Sequence, residues 1–308
     1  MARFHPDLTL ARMIPPFSFG PRVAALANSR APSYPAAPDD VEIENVDVPG
    51  PAGAPAVPAR IYRPRGLAGP APALLWIHGG GMIIGSPAQD ERTSIAFARV
   101  LGLTVVSVDY RLAPQHPAPA ALEDCYAVLS WTLRHAAERG IDPDRIAVGG
   151  ASAGGGLAAG LTLLAHDRGE IPVAFQLLVY PMIDDRTVTR TDHDVPGVRM
   201  WSKKSNRYGW TSYLGQEPGG AGISAYAAPA RREDLGGLPP AWIGVGTFDL
   251  FHDEDVAYAR RLRDAGVPCE LLVVDGAFHG FDAVLPKKKV TADFWRAQAA
   301  ALQRALDL

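Results

Sequence analysis

Cysteine is nearly absent from this chain of 308 residues. There are two, Cys125 and Cys269, too few for a disulfide framework. Both sit in apolar text and read as buried thiols of a reducing compartment. Long hydrophobic runs are missing too, since no stretch reaches the roughly eighteen uncharged apolar residues of a membrane span. The first residues carry Pro6, Asp7, Pro15 and Pro16 and never build the apolar segment of a secretory leader. A surplus of one charge is also lacking: 30 basic residues oppose 33 acidic ones, for a net charge of −3. Nothing in that balance favours nucleic acid or an anionic membrane surface. Lys287-Lys288-Lys289 is the one basic run and reads as a solvated loop. No internal repeat or low-complexity tract appears. The expectation is a soluble cytoplasmic protein, monomer or homodimer, whose partner is a small molecule.

With 47% apolar and 20% charged residues, the composition is that of an ordinary globular chain. Residues 1–40 are rich in Pro, Ala, Arg and aromatics, with short helical stretches at Leu8–Met13 and Pro21–Ser29. They cannot form a core alone and are expected to lie across the main body, with Phe17 and Phe19 tucked against apolar surface. Val41–Val48 and Ala56–Tyr62 alternate as two half-buried antiparallel strands would. Solidly apolar runs follow at Ala73–Ile77, Thr104–Val108, Arg145–Val148 and Phe175–Tyr180, separated by helical patterns at Gln89–Leu101, Pro119–Arg139 and Gly155–His166. Buried strands alternating with helices predict a parallel sheet covered on both faces. The rhythm breaks through Asp184–Ile223, a polar stretch containing Trp201, Tyr208, Trp210 and Tyr213. It resumes with strands at Ala241–Val245 and Glu270–Val274 and helices at Asp253–Ala265 and Thr291–Leu306. The last strand could pair across a dimer. We therefore expect one α/β catalytic domain from 41–185 and 224–308. Residues 1–40 and an insert at 186–223, after the sixth strand, should form a cap.

The chemistry starts at Gly150-Ala151-Ser152-Ala153-Gly154, which fits G-x-S-x-G, the sharp strand-to-helix turn that lifts a serine hydroxyl out of the backbone. Small residues belong there because strand and helix come close and the backbone is strained at the serine. No Gly-Lys-Ser/Thr follows, which excludes a Walker phosphate loop. A serine of ordinary acidity needs a general base. Of eight histidines, His5, His135, His166 and His193 fall on helices, the terminus or the insert, where a surface position is the default, and His116 lies in a proline-rich loop. His279 follows a strand and is flanked by Phe278, Gly280 and Phe281. Functional groups gather at the carboxyl ends of parallel strands, so His279 is the base. The acid should come from a strand end between serine and base. Asp249, just after Ala241–Gly246, meets that requirement, with Asp253 in reserve. The cluster His252-Asp253-Glu254-Asp255 resembles a metal site, but carboxylates at a helix start need no ion. His78-Gly79-Gly80-Gly81 ends a buried strand in a loop whose backbone can approach a ligand. Gly80, Gly81 and the N–H of Ala153 are the expected oxyanion donors, worth about 3–4 kcal/mol each.

These blocks carry a family resemblance. HGGG at His78–Gly81, DYRLAPQHPAPAALED at Asp109–Asp124, GASAGG at Gly150–Gly155, GTFDLFHDE at Gly246–Glu254 and GAFHGF at Gly276–Phe281 occur in one order. In them the chain resembles the hormone-sensitive-lipase-like family of bacterial carboxylesterases, of the α/β-hydrolase fold. The resemblance implies an eight-stranded, mostly parallel sheet flanked by helices, with a cap. It also implies a triad of Ser152, Asp249 and His279, with oxyanion donors Gly80, Gly81 and Ala153 and motif support from His78 and Gly79. The implied activity is hydrolysis of small, short-acyl carboxylic esters through an acyl-enzyme, without cofactor or metal. Ala151 departs from the polar residue that most members carry before the serine. A thioesterase, amidase or lactonase could use the same groups, and a non-catalytic ligand-binding relative stands as the reading from another class.

Overall fold

The computed structural model describes residues 3–15, 17–67, 69–191, 195 and 197–308. Pro16 and His193 lie outside the described residues. Strands β1 (Val41–Val48) and β2 (Val57–Pro64) pair antiparallel from Val41↔Pro64 to Val48↔Val57. β2 continues antiparallel against β4 (Thr104–Val108). β3 (Ala71–Ile77), β5 (Ile141–Ala151), β6 (Phe175–Val179), β7 (Ala241–Phe248) and β8 (Cys269–Phe278) extend the sheet in parallel with β4. The strand order is β1-β2-β4-β3-β5-β6-β7-β8, the mostly parallel eight-stranded sheet that the runs predicted.

The helices are α1 (Pro21–Asn28), α2 (Glu91–Leu101), α3 (Ala120–Arg134), α4 (Ala153–Arg168), α5 (Lys203–Leu214), α6 (His252–Asp264), α7 (Phe281–Val284) and α8 (Lys289–Ala305). β3, β4 and β6 are buried at every position because both sheet faces are covered. On one face Leu75, Ile77 and Val148 meet Val128 and Leu129 of α3, Leu161 of α4 and Leu262 of α6. On the other, Leu74, Trp76 and Trp242 meet Phe97 of α2 and Phe294 and Leu302 of α8. The alternation Leu74/Leu75/Trp76/Ile77 thus feeds two cores from one strand. Among the described residues, no helix is long and apolar enough to cross a membrane.

Several local expectations are corrected. The insert is not patternless: Ser202 Oγ accepts from Ser205 N at 3.1 Å to open α5, and Gly215, at φ 65°, closes it. Trp201, Trp210 and Tyr213 are buried rather than part of a polar surface. In the N-terminal segment Phe19 packs on Trp201 with ring centroids 5.7 Å apart, but Phe17 is 43% exposed and meets Phe19 edge-on. Cys125 is fully buried, whereas Cys269 is half-buried at the open edge of the sheet. The two segments read as a cap touch each other directly. Ser18 Oγ lies 2.8 Å from Ser202 Oγ, Phe19 N donates to Ser205 Oγ, and Arg199 Nε donates to Ala11 O.

Candidate active site

Ser152 stands between β5 and α4 with φ 57° and ψ −121°, a conformation that costs a non-glycine residue roughly 1–3 kcal/mol. Its surroundings over-determine it. Ser152 N donates to Val179 O, and Ser152 O accepts from Met182 N and Gly156 N. The glycines after it are sterically required: a Cβ at Gly154 would fall 1.9 Å from Ile77 O and 2.5 Å from His78 O, and one at Gly156 2.0 Å from Met182 O. Gly154→Ala is therefore expected to destabilise the fold by roughly 1–3 kcal/mol through overpacking. Urea unfolding checks this, and an unchanged midpoint would show that α4 does not approach β3 so closely.

Three strand ends converge on the hydroxyl. His279, directly after β8, places Nε2 2.8 Å from Ser152 Oγ, and its Nδ1 lies 2.8 Å from Asp249 Oδ2. A carboxylate only accepts, so Nδ1 carries the hydrogen and Nε2 presents its lone pair to the serine O–H. The second oxygen, Asp249 Oδ1, accepts from Phe251 N at 3.0 Å. Asp249 is fully buried, and Ser152 and His279 are each 7% exposed. The imidazole is held edge-on between two rings, Tyr180 at 4.9 Å and Phe251 at 5.1 Å. Neither is adjacent in sequence. The flanking Phe278 and Phe281 instead enter the core, where Phe281 meets Phe294.

Asp253 is placed elsewhere. Its side chain is 47% exposed, paired with His252 Nδ1 at 2.9 Å and Arg190 Nη1 at 3.1 Å. Its neighbour Glu254 does what the sequence reading did not anticipate. Buried on α6, it accepts from Ile183 N and Asp184 N at 2.9 and 3.0 Å and from the Thr187 hydroxyl, pinning the chain that leaves β6. Burial drives its pKa well above the usual carboxylate range. No cluster of three or more His, Cys, Asp or Glu side chains suited to a metal occurs among the described residues.

The loop after β3 turns through three successive positive φ values, at Gly80 (114°), Gly81 (62°) and Met82 (58°). It is anchored from below by His78, which is fully buried and stacked on Tyr110 with ring centroids 4.2 Å apart. His78 Nδ1 donates to Gly79 O at 2.8 Å, and Tyr110 OH donates to His78 O at 2.9 Å. Burial lowers the His78 pKa to about 4, so it is a neutral brace. Gly79 lies against the elbow, its Cβ position 3.3 Å from Ser152 Cβ and 3.0 Å from Ala151 O. Arg111 braces the next loop, with Nη2 2.7 Å from Oδ1 of buried Asp124 on α3. The N–H groups of Gly80, Gly81 and Ala153 donate to no protein atom among the described residues. That of Ala153 is free because it opens a helix. Beside the elbow, between α2 and α8, lies a cavity of about 920 Å³.

Comparison with known proteins follows the same lines. A family described by the alpha/beta hydrolase fold matches residues 74–283. "Carboxylic ester hydrolase LipN" of Mycobacterium tuberculosis is 38% identical over 270 residues, which are 84% of this chain and 70% of LipN. "Bacterial Heroin Esterase" superposes with a TM-score of 0.89 at 39% identity, covering 99% of this chain and 98% of that one. Esterase LipW of Mycobacterium marinum gives 0.78 at 40% identity, over 86% and 82% of the two chains.

Proposed function

The chain belongs to the hormone-sensitive-lipase-like esterases of the α/β-hydrolase fold, and on that premise we propose that it hydrolyses small, short-acyl carboxylic esters with Ser152 as nucleophile, His279 as base and Asp249 as acid. The observation that carries the reading is the pair of 2.8 Å contacts joining the three side chains. His279 takes the hydroxyl proton as Oγ attacks the ester carbonyl. Asp249 keeps the imidazole in the required tautomer and balances the charge it gains. The carbonyl oxygen becomes negative and turns to the N–H groups of Gly80, Gly81 and Ala153, preorganised where water would have to reorient. His279 then gives its proton to the leaving alcohol. Water enters, loses a proton to the same nitrogen, and releases the acid from the acyl-enzyme. No step calls for a cofactor or metal.

The cap in this reading is residues 1–40 with 186–223. A Cβ at Gly81 would lie 2.1 Å from Trp201 Cη2, so the oxyanion loop and the insert are in intimate contact. Two unpaired thiols agree with a cytoplasmic location.

A panel of p-nitrophenyl esters of increasing acyl length tests the activity, and an organophosphonate followed by peptide mass spectrometry tests the nucleophile. We expect turnover greatest for the short acyl chains and one phosphonate adduct, on Ser152. Label on another residue with Ser152 unmodified would overturn the assignment.

A further inference from the structure

The cavity beside the elbow has an unusual combination of walls. Ala151, the residue before the serine, forms part of it, as do Tyr180, which packs on His279, and Gln89. Gln89 joins cavity and site, because its Nε2 approaches the Cβ position of Gly79 to 3.6 Å where Ser152 Cβ approaches to 3.3 Å. Ala151 and Gln89 therefore place the cavity next to the reacting serine. Two carboxylates line it with no salt bridge among the described residues, although Asp282 also interacts with the His279 imidazole. Asp90 Oδ2 accepts from the Trp76 indole N–H at 2.9 Å, and Asp282 Oδ1 accepts from the Tyr180 hydroxyl at 2.8 Å. Glu91, also in the wall, is different, being saturated by Arg60 and Tyr62. Of the arginines at the rim, Arg296 is turned to Asp293 and Arg92 is exposed.

The electrostatic state of the pair is that of charges awaiting a partner. Burial pushes Asp90 up to about 6 against the pull of the Trp76 donor, and the Asp282 charge adds to the rise. Burial likewise raises Asp282. A cation entering the cavity relieves both effects at once. Aromatic surface adds to the fit, since Trp295, one face of which stacks on Phe97, also lines it and ring faces attract alkylammonium groups.

We infer that this cavity receives a cationic arm of the ester, a protonated amine or quaternary ammonium, held by the Asp90 and Asp282 carboxylates beside the Trp295 ring. This rests on the esterase reading and adds a substrate class to it. Asp90 and Asp282 act as specificity residues that hold the substrate away from the scissile bond. Ala151 contributes by being small and neutral: a longer acidic or polar side chain there would occupy the approach between cavity and serine.

The test compares esters that differ only in charge. On the alcohol side these are butyrylcholine and its carbon isostere, in which tert-butyl replaces trimethylammonium. On the acyl side they are the p-nitrophenyl esters of trimethylammoniobutyrate and of its tert-butyl isostere. For one of the two pairs, kcat/KM is expected to favour the cation by about tenfold or more, the order seen for a well-placed charge pair. In Asp90→Asn that ratio should fall to near one, while turnover of the neutral ester stays within about threefold of wild type. Asp282→Asn, read by the cation-to-neutral ratio alone because its partner Tyr180 packs on His279, decides the question if Asp90→Asn does not fold. A ratio at or below one for both pairs in the wild type overturns the inference, as does a preference that survives both substitutions. Brisk turnover of the neutral esters in either case leaves the esterase reading standing. No turnover of any ester overturns both.

Discussion

Ser152→Ala is expected to lower kcat on a short-acyl p-nitrophenyl ester by about 10⁶, the scale on which loss of a triad nucleophile is felt. The expectation is strong because the substitution is sterically silent. Alanine retains Cβ, and the backbone at φ 57° is set by the bonds that Ser152 N and O make with Val179, Met182 and Gly156, none of which uses the side chain. Only Oγ disappears, and with it the 2.8 Å partner of His279 Nε2. Thermal unfolding should therefore be unchanged while activity collapses toward the residual catalysis that oxyanion donors and binding supply alone. Activity within tenfold of wild type, on protein free of contaminating esterase, would remove Ser152 from the mechanism. A collapse accompanied by loss of the folded state would instead mark the elbow as structural.

Much of this geometry was legible in the sequence because the fold is written in local signals. Mostly apolar five-residue runs such as Thr104–Val108 and Phe175–Val179 are strands buried on both faces, and the structure places both inside the sheet. The eight strands and their mixed direction followed from the same text. Loops at the ends of β3, β5, β7 and β8 carry the candidate groups, where the strand-end rule points. What could not be read were partnerships made across space. Tyr180 and Phe251 grip the imidazole from the ends of β6 and β7, yet they stand 99 and 28 residues from His279 in sequence and fit no spacing rule. Glu254 was read as a carboxylate favoured by a helix start, which explains its tolerance there but not its three bonds to the chain leaving β6. The helix α5 was readable in principle, since Ser202 and Gly215 are sound start and stop signals. Its aromatic, weakly amphipathic face hid it. Phe17 shows the opposite error: hydrophobicity alone does not bury a residue when Phe19 already fills the contact with Trp201.

Asp249→Asn should cost about 10⁴ in kcat, and the reason lies in the second oxygen rather than the first. Phe251 N donates to Asp249 Oδ1, so an asparagine there will aim its carbonyl oxygen at that donor. Its NH₂ group is then left facing His279 Nδ1, where the carboxylate Oδ2 accepted at 2.8 Å. Two donors cannot share that contact, so the imidazole moves its hydrogen to Nε2 and shows Ser152 an N–H in place of a lone pair. The base is lost without any change in shape. Asp253→Asn provides the contrast, because that side chain is half in solvent, and its pairs with His252 and Arg190 are of the surface kind, worth roughly 0–1 kcal/mol. It should leave kcat within about twofold of wild type. If the larger loss instead followed Asp253→Asn, the acid would have to be reassigned, and the buried 2.8 Å contact at Asp249 would be left without a catalytic role.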